Sequence, residues 1–177
     1  KYHPEGLTGP FVVEEIYRQT KGDALIVTEV GQHQMWAAQY YRYSRPRTFL
    51  TSGGLGTMGY ALPAGVGVKV ALPQRQTLVI CGDGSFQMSM NELAAVKAGG
   101  FDLKIVLFRN GVLGLVNQIQ RKEPYHGPFG VRLDGDPDFA VIAAAYGIPS
   151  IPLRSEYLAE ETLDRFLRTE GPCLLIA

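Results

Sequence analysis

The sequence TLVICGDGS, residues 77–85, joins a run of apolar and β-branched residues directly to an aspartate flanked by two glycines. The run at residues 77–81 is near-continuous rather than alternating, which is typical of a strand buried on both faces in a parallel sheet. Gly82 and Gly84 let the backbone turn sharply beside Asp83 and let a ligand approach it closely. The stretch therefore predicts a parallel strand whose carboxyl end carries a ligand-binding carboxylate.

Further apolar runs recur at intervals that suit alternating strands and helices, at residues 24–28, 103–108, 148–152 and 173–176. Helical patterns lie between them, at residues 11–20, 85–98, 137–146 and 158–167. Ser85 and Asp136 are the expected N-terminal caps of two of these helices, and Met88 is expected to face inward. The alternation predicts an α/β fold, a three-layer sandwich with a mostly parallel central sheet flanked by helices.

The composition favours one globular domain over the whole of residues 1–177. The chain is 46% hydrophobic and 19% charged, and 17 Lys+Arg balance 17 Asp+Glu, so neither nucleic acid nor anionic lipid is an expected partner. No apolar run is long enough to span a membrane, and the first residues do not resemble a secretory signal. Cys81 and Cys173 lie far apart in apolar stretches, which predicts neither a zinc site nor a disulfide framework and favours a cytoplasmic protein.

Unusual residues follow several of the predicted strands, at residues 30–33, 82–85 and 110–112. A fourth unusual segment, TSGGLGTMG at residues 51–59, is a glycine-rich turn that enters a helix. Ligands of open α/β sheets bind beyond the carboxyl ends of the strands. All four segments are therefore expected to converge on one site at one edge of the sheet.

The residues at this edge suit a divalent cation. A carboxylate such as Asp83 is an oxygen ligand for a hard cation, and the amide oxygen of Asn110 and the backbone carbonyl of Val112 could supply two more. Magnesium bound in this way commonly completes its coordination with phosphate oxygens and water. The helix that begins near Ser85 would direct free N–H groups toward those phosphates. The alternative is that Asp83 only caps a helix in an ordinary strand-to-helix turn.

A second alternative is a nicotinamide-dinucleotide-binding dehydrogenase domain. Gly54, Gly56 and Gly59 match the spacing of the dinucleotide fingerprint, and Asp83 lies at a later strand end, where a ribose-binding acid would stand. The segment before these glycines is short, however, and a ribose-binding acid needs neither flanking glycines nor a second polar site at Asn110. The pattern therefore favours this alternative less than the metal site.

Taken together, these motifs resemble the thiamine-diphosphate-dependent enzymes, specifically their C-terminal diphosphate-binding domain. The family signature, Gly-Asp-Gly followed further along by Asn, stands here as residues 82–84 and Asn110. Within that family the chain is most similar to the large catalytic subunit of acetolactate synthase (acetohydroxyacid synthase). That similarity is carried by VGQHQMWAAQ at residues 30–39, LTSGGLGTMG at 50–59 and GDGSFQM at 82–88, and it extends from about Gly22 to the C-terminus.

The resemblance implies roles for individual residues. Asp83, Asn110 and the carbonyl of Val112 would hold Mg²⁺ against the diphosphate of thiamine diphosphate. Gly56 and Met58 would lie by the rings of the cofactor, with Met58 as an apolar wedge, although a Met here could equally be a core residue. The other implied cofactor-binding residues, several of them around the diphosphate, are Val30, Gly31, Gln32, His33, Gly82, Gly84, Ser85, Leu113, Gly114 and Leu115.

Two positions depart from the family pattern. Arg109 precedes Asn110 where the family usually has a polar pair, a change that should leave the metal site intact. Ile119 stands where the biosynthetic acetolactate synthases have a tryptophan that lines the pocket for the second 2-keto acid. The resemblance implies a carboligase of branched-chain amino acid biosynthesis, but Ile119 leaves the acceptor open, and another thiamine-diphosphate decarboxylase or carboligase is an alternative.

The family also has a pyrimidine-binding domain, whose glutamate contacts the aminopyrimidine ring, and usually a middle domain. Neither fits upstream of Gly22, so we expect a fragment or one subunit of a split enzyme, without a catalytic residue of its own. The implied partners are a pyrimidine-binding domain of the same or another subunit, further copies of the chain and a small regulatory subunit. A non-catalytic interaction module is a third reading, which the intact Asp83, Asn110 and glycines disfavour.

Overall fold

The computed structural model describes residues 6–122 and 127–177, which contain a six-stranded sheet with the order β2-β1-β3-β4-β6-β5. Every pair of neighbouring strands is parallel, as the apolar runs predict. The strands are β1 Leu25–Thr28, β2 Phe49–Thr51, β3 Thr77–Gly82, β4 Lys104–Phe108, β5 Ser150–Pro152 and β6 Cys173–Ile176.

Helices cover both faces of this sheet, so the three-layer α/β sandwich is confirmed. One layer contains α1 Gly9–Thr20, α2 Gln32–Tyr40 and α8 Ala159–Arg168. The other contains α3 Ala61–Ala71, α4 Asp83–Gln87, α5 Leu93–Ala98 and α7 Phe139–Ala145, and a further helix, α6 Gly114–Gln120, follows β4. None of the helices among the described residues has the length and apolarity needed to cross a membrane.

Successive residues of each central strand belong to different hydrophobic cores. In β3, Leu78 and Ile80 pack in the core beneath α1, α2 and α8, whereas Val79 and Cys81 pack in the core beneath α3, α5 and α7. Both faces of the sheet are therefore dry, which explains why the strands are near-continuous apolar runs.

The helix predicted over residues 85–98 is interrupted. It divides into α4, a 3₁₀ turn at Met90–Glu92 and α5, because Ser89 leaves the helical conformation. The prediction of Ser85 as the N-cap is wrong, because Gly82 occupies that position and the Ser85 hydroxyl bonds back to Gly82. The inward orientation of Met88 is also wrong, since Met88 is 58% exposed just after α4 ends.

Three other helices differ from what the sequence analysis expected. The N-cap of α7 is Asp138, whose carboxylate accepts hydrogen bonds from Ala140 N and Val141 N, while Asp136 forms an ion pair with Arg109 instead. Helices α2 and α6 were not predicted. In α2 only His33 and Ala37 are buried, and α6 buries none of its residues, so neither helix shows a clear apolar stripe.

The contact between α3 and β3 leaves no space for a side chain at Gly65. A Cβ there would lie 2.6 Å from Val79 Cγ2 and 3.3 Å from Leu103 Cδ2. On the same helix, a Cβ at Gly67 would meet nothing within 4 Å. Close packing therefore requires a glycine at position 65, whereas position 67 has room for a side chain.

We predict that Gly65→Ala lowers the free energy of unfolding by about 1–3 kcal/mol, because the added methyl overpacks the core. Gly67→Ala is the matched control and should raise the free energy of unfolding by roughly 0.5–1 kcal/mol, because alanine favours a helix interior. Urea unfolding of the three proteins measures both values. Equal shifts in the two variants would contradict the packing of α3 on β3.

Candidate functional site

A cleft opens at the carboxyl edge of the sheet, between β1 and β3. The chain leaves these neighbouring strands in opposite directions, toward β2 from β1 and toward β4 from β3, which is the switch point where α/β sheets bind ligands. The cleft has a volume of about 100 Å³. Its lining comes from three loops together with Met58 and two aromatic residues: Val30, Gly31, Gln32, His33, Trp36, Met58, Gly82, Asp83, Gly84, Phe108, Asn110, Val112, Leu113, Gly114, Leu115 and Val116.

Asp83 is the most constrained polar residue of the cleft. Its Oδ1 accepts a hydrogen bond from Gly84 N at 2.9 Å, and its Oδ2 accepts from Asn110 N at 2.9 Å and Gly111 N at 2.6 Å. Burial raises the pKa of the Asp83 carboxyl, and the N–H donors of Gly111 and Gly84 act in the opposite direction. The carboxylate thus links the loop after β3 to the loop after β4.

The other two predicted metal ligands lie in the loop that Asp83 holds. Asn110 Oδ1 accepts a hydrogen bond from Val112 N at 3.0 Å, so the amide folds back over its own turn. Val112 forms an isolated antiparallel bridge with Arg132, which fixes the far side of the loop. Within residues 6–122 and 127–177, no three His, Cys, Asp or Glu side chains gather into a metal-binding group, so any cation here would rest on one carboxylate and neutral oxygens.

His33, on the first turn of α2, is a buried polar residue with an unused nitrogen. It is 6% exposed, and its Nε2 has no hydrogen-bond partner among the described residues. Burial lowers the pKa of the imidazole to about 4, although a hydrogen bond with the Glu29 backbone acts the other way. The ring also lies against the backbone, since a Cβ at Gly82 would be 3.1 Å from His33 Cε1. A neutral imidazole with an unsatisfied nitrogen is thus held in the cleft wall.

Two glycines allow close packing around the cleft. A Cβ at Gly84 would lie 2.7 Å from Leu113 Cδ2, so the start of α4 contacts the start of α6 through backbone. A Cβ at Gly114 would lie 2.0 Å from Gln32 Oε1, and the Gln32 amide donates to Gln118 Oε1 at 3.0 Å. The loops after β1, β3 and β4 therefore meet at this point.

Most of the residues implicated by sequence lie together in this cleft. Three of them do not line it. Ser85 is buried and bonded to Gly82, Ile119 is 54% exposed on α6, and Gly56 lies beside Val30, where its Cβ would be 3.9 Å from Val30 Cγ1. Ser85 can therefore offer the cleft its backbone N–H but not its hydroxyl.

Sequence reasoning missed four residues of the site region, one of which is Val116, an exposed α6 residue that lines the cleft. Trp36 and Phe108 line the cleft and form an edge-to-face pair with ring centroids 5.2 Å apart. Glu29 is buried behind the cleft and holds the N-terminus of α3 through three backbone N–H groups. The available signal for Glu29 was a carboxylate at the end of an apolar strand, which is costly to bury without partners.

Comparison with known proteins identifies the family. The model of the family described as "Thiamine pyrophosphate enzyme, C-terminal TPP binding domain" matches residues 29–177. The chain belongs to this family. Among curated proteins, the domain is 41% identical over 174 residues to the acetolactate synthase isozyme 2 large subunit of Escherichia coli K12, with 98% of this chain and 32% of that protein covered.

Other relatives of this TPP-binding domain have similar names. It is 45% identical over 163 residues to the acetolactate synthase large subunit of Lactococcus lactis, covering 92% of this chain and 28% of that protein. It is 39% identical over 178 aligned positions to the chloroplastic acetolactate synthase 1 of Oryza sativa, covering 97% of this chain and 28% of that protein. The chain thus spans about a third or less of the length of these relatives. Nothing in the comparisons supports the nicotinamide alternative.

The residues of the cleft fit thiamine diphosphate with a divalent cation. His33 lines the cleft, and its buried Nε2 has no hydrogen-bond partner among the described residues, as expected of a polar atom beside a polar ligand site. Asp83 and Asn110 present oxygen atoms of the type that magnesium prefers. Gly82, Gly84 and Gly114 keep the backbone accessible where side chains would fill the space.

The burial of neutral His33 predicts a pH dependence of stability. Its pKa is about 4 in the fold against 6.5 in the unfolded chain, so the unfolded state binds an extra proton between these values. The contribution of neutral His33 to the free energy of unfolding is therefore fully present above pH 6.5. It is lost as the pH falls toward 4, and the total loss is about 3 kcal/mol. Urea unfolding at pH 7 and 4.5 should show wild type losing ~2–3 kcal/mol more than His33→Gln. Equal losses would contradict a neutral buried His33.

Proposed function

We propose that this chain is the thiamine diphosphate and magnesium binding module of a 2-keto acid carboligase, acetolactate synthase. The observation that carries the proposal is the arrangement of Asp83 with the Asn110 loop at the switch point of the sheet, in the cleft that His33 also lines. The names of the curated relatives support the carboligase assignment. Another thiamine-diphosphate decarboxylase or carboligase is the second candidate, favoured by the exposed Ile119.

The hydrogen bonds of the cleft leave acceptor sites that suit a magnesium ion. A carboxylate offers about four acceptor sites. Asp83 uses three of them for backbone N–H groups, which leaves one on Oδ1. Asn110 Oδ1 accepts one hydrogen bond and so has a second lone pair free. Each residue would therefore supply a single oxygen to the ion, with the Val112 carbonyl as the third protein ligand.

The diphosphate would be held mainly by backbone. We assign the cradle to the loop that follows β1, including Gly31, and to the turns at Gly84 and Gly114, with the neutral His33 in the adjoining cleft wall. When bound, thiamine diphosphate supplies the electron sink for carbanion chemistry, while the protein contributes binding, orientation and electrostatics. This chain's residues would hold the charged half of the cofactor and place Met58 and Gly56 beside its rings.

Several large apolar side chains are exposed on segments that follow cleft-lining residues in the chain, and they suggest where the rest of the enzyme docks. Leu55 in the glycine-rich loop is 94% exposed, and Met88, Val116, Ile119 and Phe129 are also exposed. Large exposed apolar residues that gather around a site mark an interaction surface. We propose that a pyrimidine-binding domain, from the same or another subunit, covers them and contributes the glutamate, within a homo-oligomer.

Two further assignments follow from the same proposal. The relatives described as large subunits suggest a small regulatory subunit as an additional partner. A cytoplasmic location is favoured by Cys81 and Cys173, which are both free and buried.

The proposed reaction joins two 2-keto acids. The bond to the carboxylate of pyruvate breaks with release of carbon dioxide, and the remaining two-carbon unit forms a bond to the keto carbon of a second 2-keto acid. The product is a 2-hydroxy-3-keto acid, as branched-chain amino acid biosynthesis requires. Ile119, on the exposed side of α6, is the proposed contact for the acceptor.

We predict that Asp83→Ala abolishes magnesium-dependent binding of thiamine diphosphate. Asn110→Ala should weaken it by about tenfold, equivalent to one lost polar contact of ~1.4 kcal/mol. Calorimetric titration of the complete natural polypeptide, with and without magnesium, measures both. Asn117→Ala is the control, because this half-buried asparagine on α6 does not line the cleft, accepts a hydrogen bond from Arg121 one turn later and should leave the affinity unchanged. Unchanged affinity in Asp83→Ala would remove the metal-site assignment.

A competition assay between pyruvate and 2-ketobutyrate tests the reaction and the role of Ile119. Because isoleucine fills less of the pocket than tryptophan, we expect weak discrimination in the wild type and a change of about 10- to 200-fold in the product ratio in Ile119→Trp. Val141→Trp, an exposed position on α7 outside the cleft lining, is the control and should not alter the ratio. Release of acetaldehyde alone would refute the carboligase, and an unmoved ratio would refute the pocket role of Ile119.

A further inference from the structure

Glu29 is a buried carboxylate directly after β1 and is only 1% exposed. Its Oε2 accepts hydrogen bonds from Gly59 N at 2.7 Å and Tyr60 N at 3.1 Å, and its Oε1 accepts from Ala61 N at 2.9 Å. These three N–H groups form the N-terminus of α3, where a carboxylate compensates the helix dipole. Glu29 therefore fixes a helix that begins about thirty residues later in the chain.

The same side chain reaches a third segment. Ser89 Oγ lies 3.5 Å from Glu29 Oε1, immediately after the helix that begins at Asp83. The glycine-rich loop also packs on this segment, because a Cβ at Gly59 would lie 3.4 Å from Met88 Cβ. Glu29 thus contacts the end of the glycine-rich loop and the segment after α4, while its backbone continues into the loop at residues 30–33.

The hydrogen bonds of Glu29 also affect the position of Met58. Met58 is bonded to Gly59, whose N–H is held at 2.7 Å by Glu29, and Met58 Cε would lie 3.9 Å from a Cβ at Gly84. The local sequence supplies no other side-chain cap, since Tyr60 at the N-cap makes no capping hydrogen bond. The orientation of the loop that carries Met58 therefore depends on a side chain from the strand that leads into the cleft.

We propose that Glu29 is a positioning residue that sets the place of Met58 relative to the diphosphate-binding loops. This inference rests on the proposed contact between Met58 and the rings of thiamine diphosphate. The backbone of Glu29 is fixed independently of its side chain, because Glu29 N donates to Ile80 O at 2.9 Å. Changing the side chain should therefore displace Met58 and leave the diphosphate-binding loop after β1 in place.

The test compares two ligands, thiamine diphosphate and inorganic diphosphate, each titrated calorimetrically in excess magnesium into the complete natural polypeptide. Glu29→Gln keeps the volume but replaces one acceptor oxygen with an NH₂ group that faces N–H donors. We expect it to weaken thiamine diphosphate binding about tenfold or more and inorganic diphosphate binding less than about threefold. Met58→Ala should show the same pattern. The affinity of the double variant for thiamine diphosphate should lie within about threefold of that of the weaker-binding single variant, because both changes act through Met58.

Glu15→Gln is the matched control. Glu15 is a buried glutamate on α1, across the sheet from α3, where it accepts from Arg18 and Gln19. Its replacement should lower the melting temperature without changing the ratio of the two affinities. If Glu29→Gln does not fold, Glu29→Asp supplies the comparison, because its shorter carboxylate cannot span the same three N–H groups. Amide hydrogen exchange should accelerate at residues 59–61 in either variant.

The outcomes separate this inference from the function on which it rests. Equal weakening of both ligands in Glu29→Gln, or full additivity with Met58→Ala, would overturn the positioning role and leave Glu29 as a simple helix cap. The positioning role would also be overturned if Met58→Ala weakened thiamine diphosphate binding and Glu29→Gln did not. If Met58→Ala leaves both affinities unchanged, the proposed contact of Met58 is wrong and the inference fails with it. If wild type binds neither ligand, the proposed function fails.

Discussion

The structure of the cleft depends on the hydrogen bonds of one buried carboxylate, that of Asp83. Burying a charge costs free energy unless strong hydrogen bonds compensate it. Here the compensation comes from three backbone N–H groups, one in its own turn and two in the loop after β4. The residue proposed to bind the metal therefore also places Asn110 and Val112. The same three hydrogen bonds therefore fix the fold of the two turns and the geometry of the cleft.

The parallel register of the sheet brings the other parts of the cleft to the same level. Thr28 pairs with Ile80, so the chain beyond β1 and the turn at Gly82 leave the sheet side by side. The two strands end in buried acidic residues, Glu29 and Asp83, and both carboxylates are satisfied by backbone N–H groups. The position of the cleft is therefore set by the ends of β1 and β3 rather than by long loops. His33 lies in the same cleft wall, and its Nε2 has no hydrogen-bond partner within residues 6–122 and 127–177.

The strands and the chemistry of the site were largely predictable from sequence. Buried parallel strands require apolar residues on both faces, so runs such as TLVIC are visible without tertiary information. Gly82, Asp83 and Asn110 could be placed at one edge of the sheet, because each follows an apolar run and the carboxyl ends of parallel strands meet there. Helices α2 and α6 were not predictable, since they bury too few side chains to produce an apolar periodicity. The competition between Asp136 and Asp138 for the cap of α7 depended on the ion pair of Asp136 with Arg109.

The sequence by itself determined the α/β class, the edge of the sheet that carries the cleft and most of the residues that line it. These features follow from hydrophobic periodicity and from the chemistry of single residues, which are local properties. Only the tertiary structure decided that Glu29 caps α3, that Met88 faces outward and that His33 is buried and neutral. Each of these depends on groups distant in sequence that the parallel sheet brings together, and burial and hydrogen-bond partners are properties of that assembled environment.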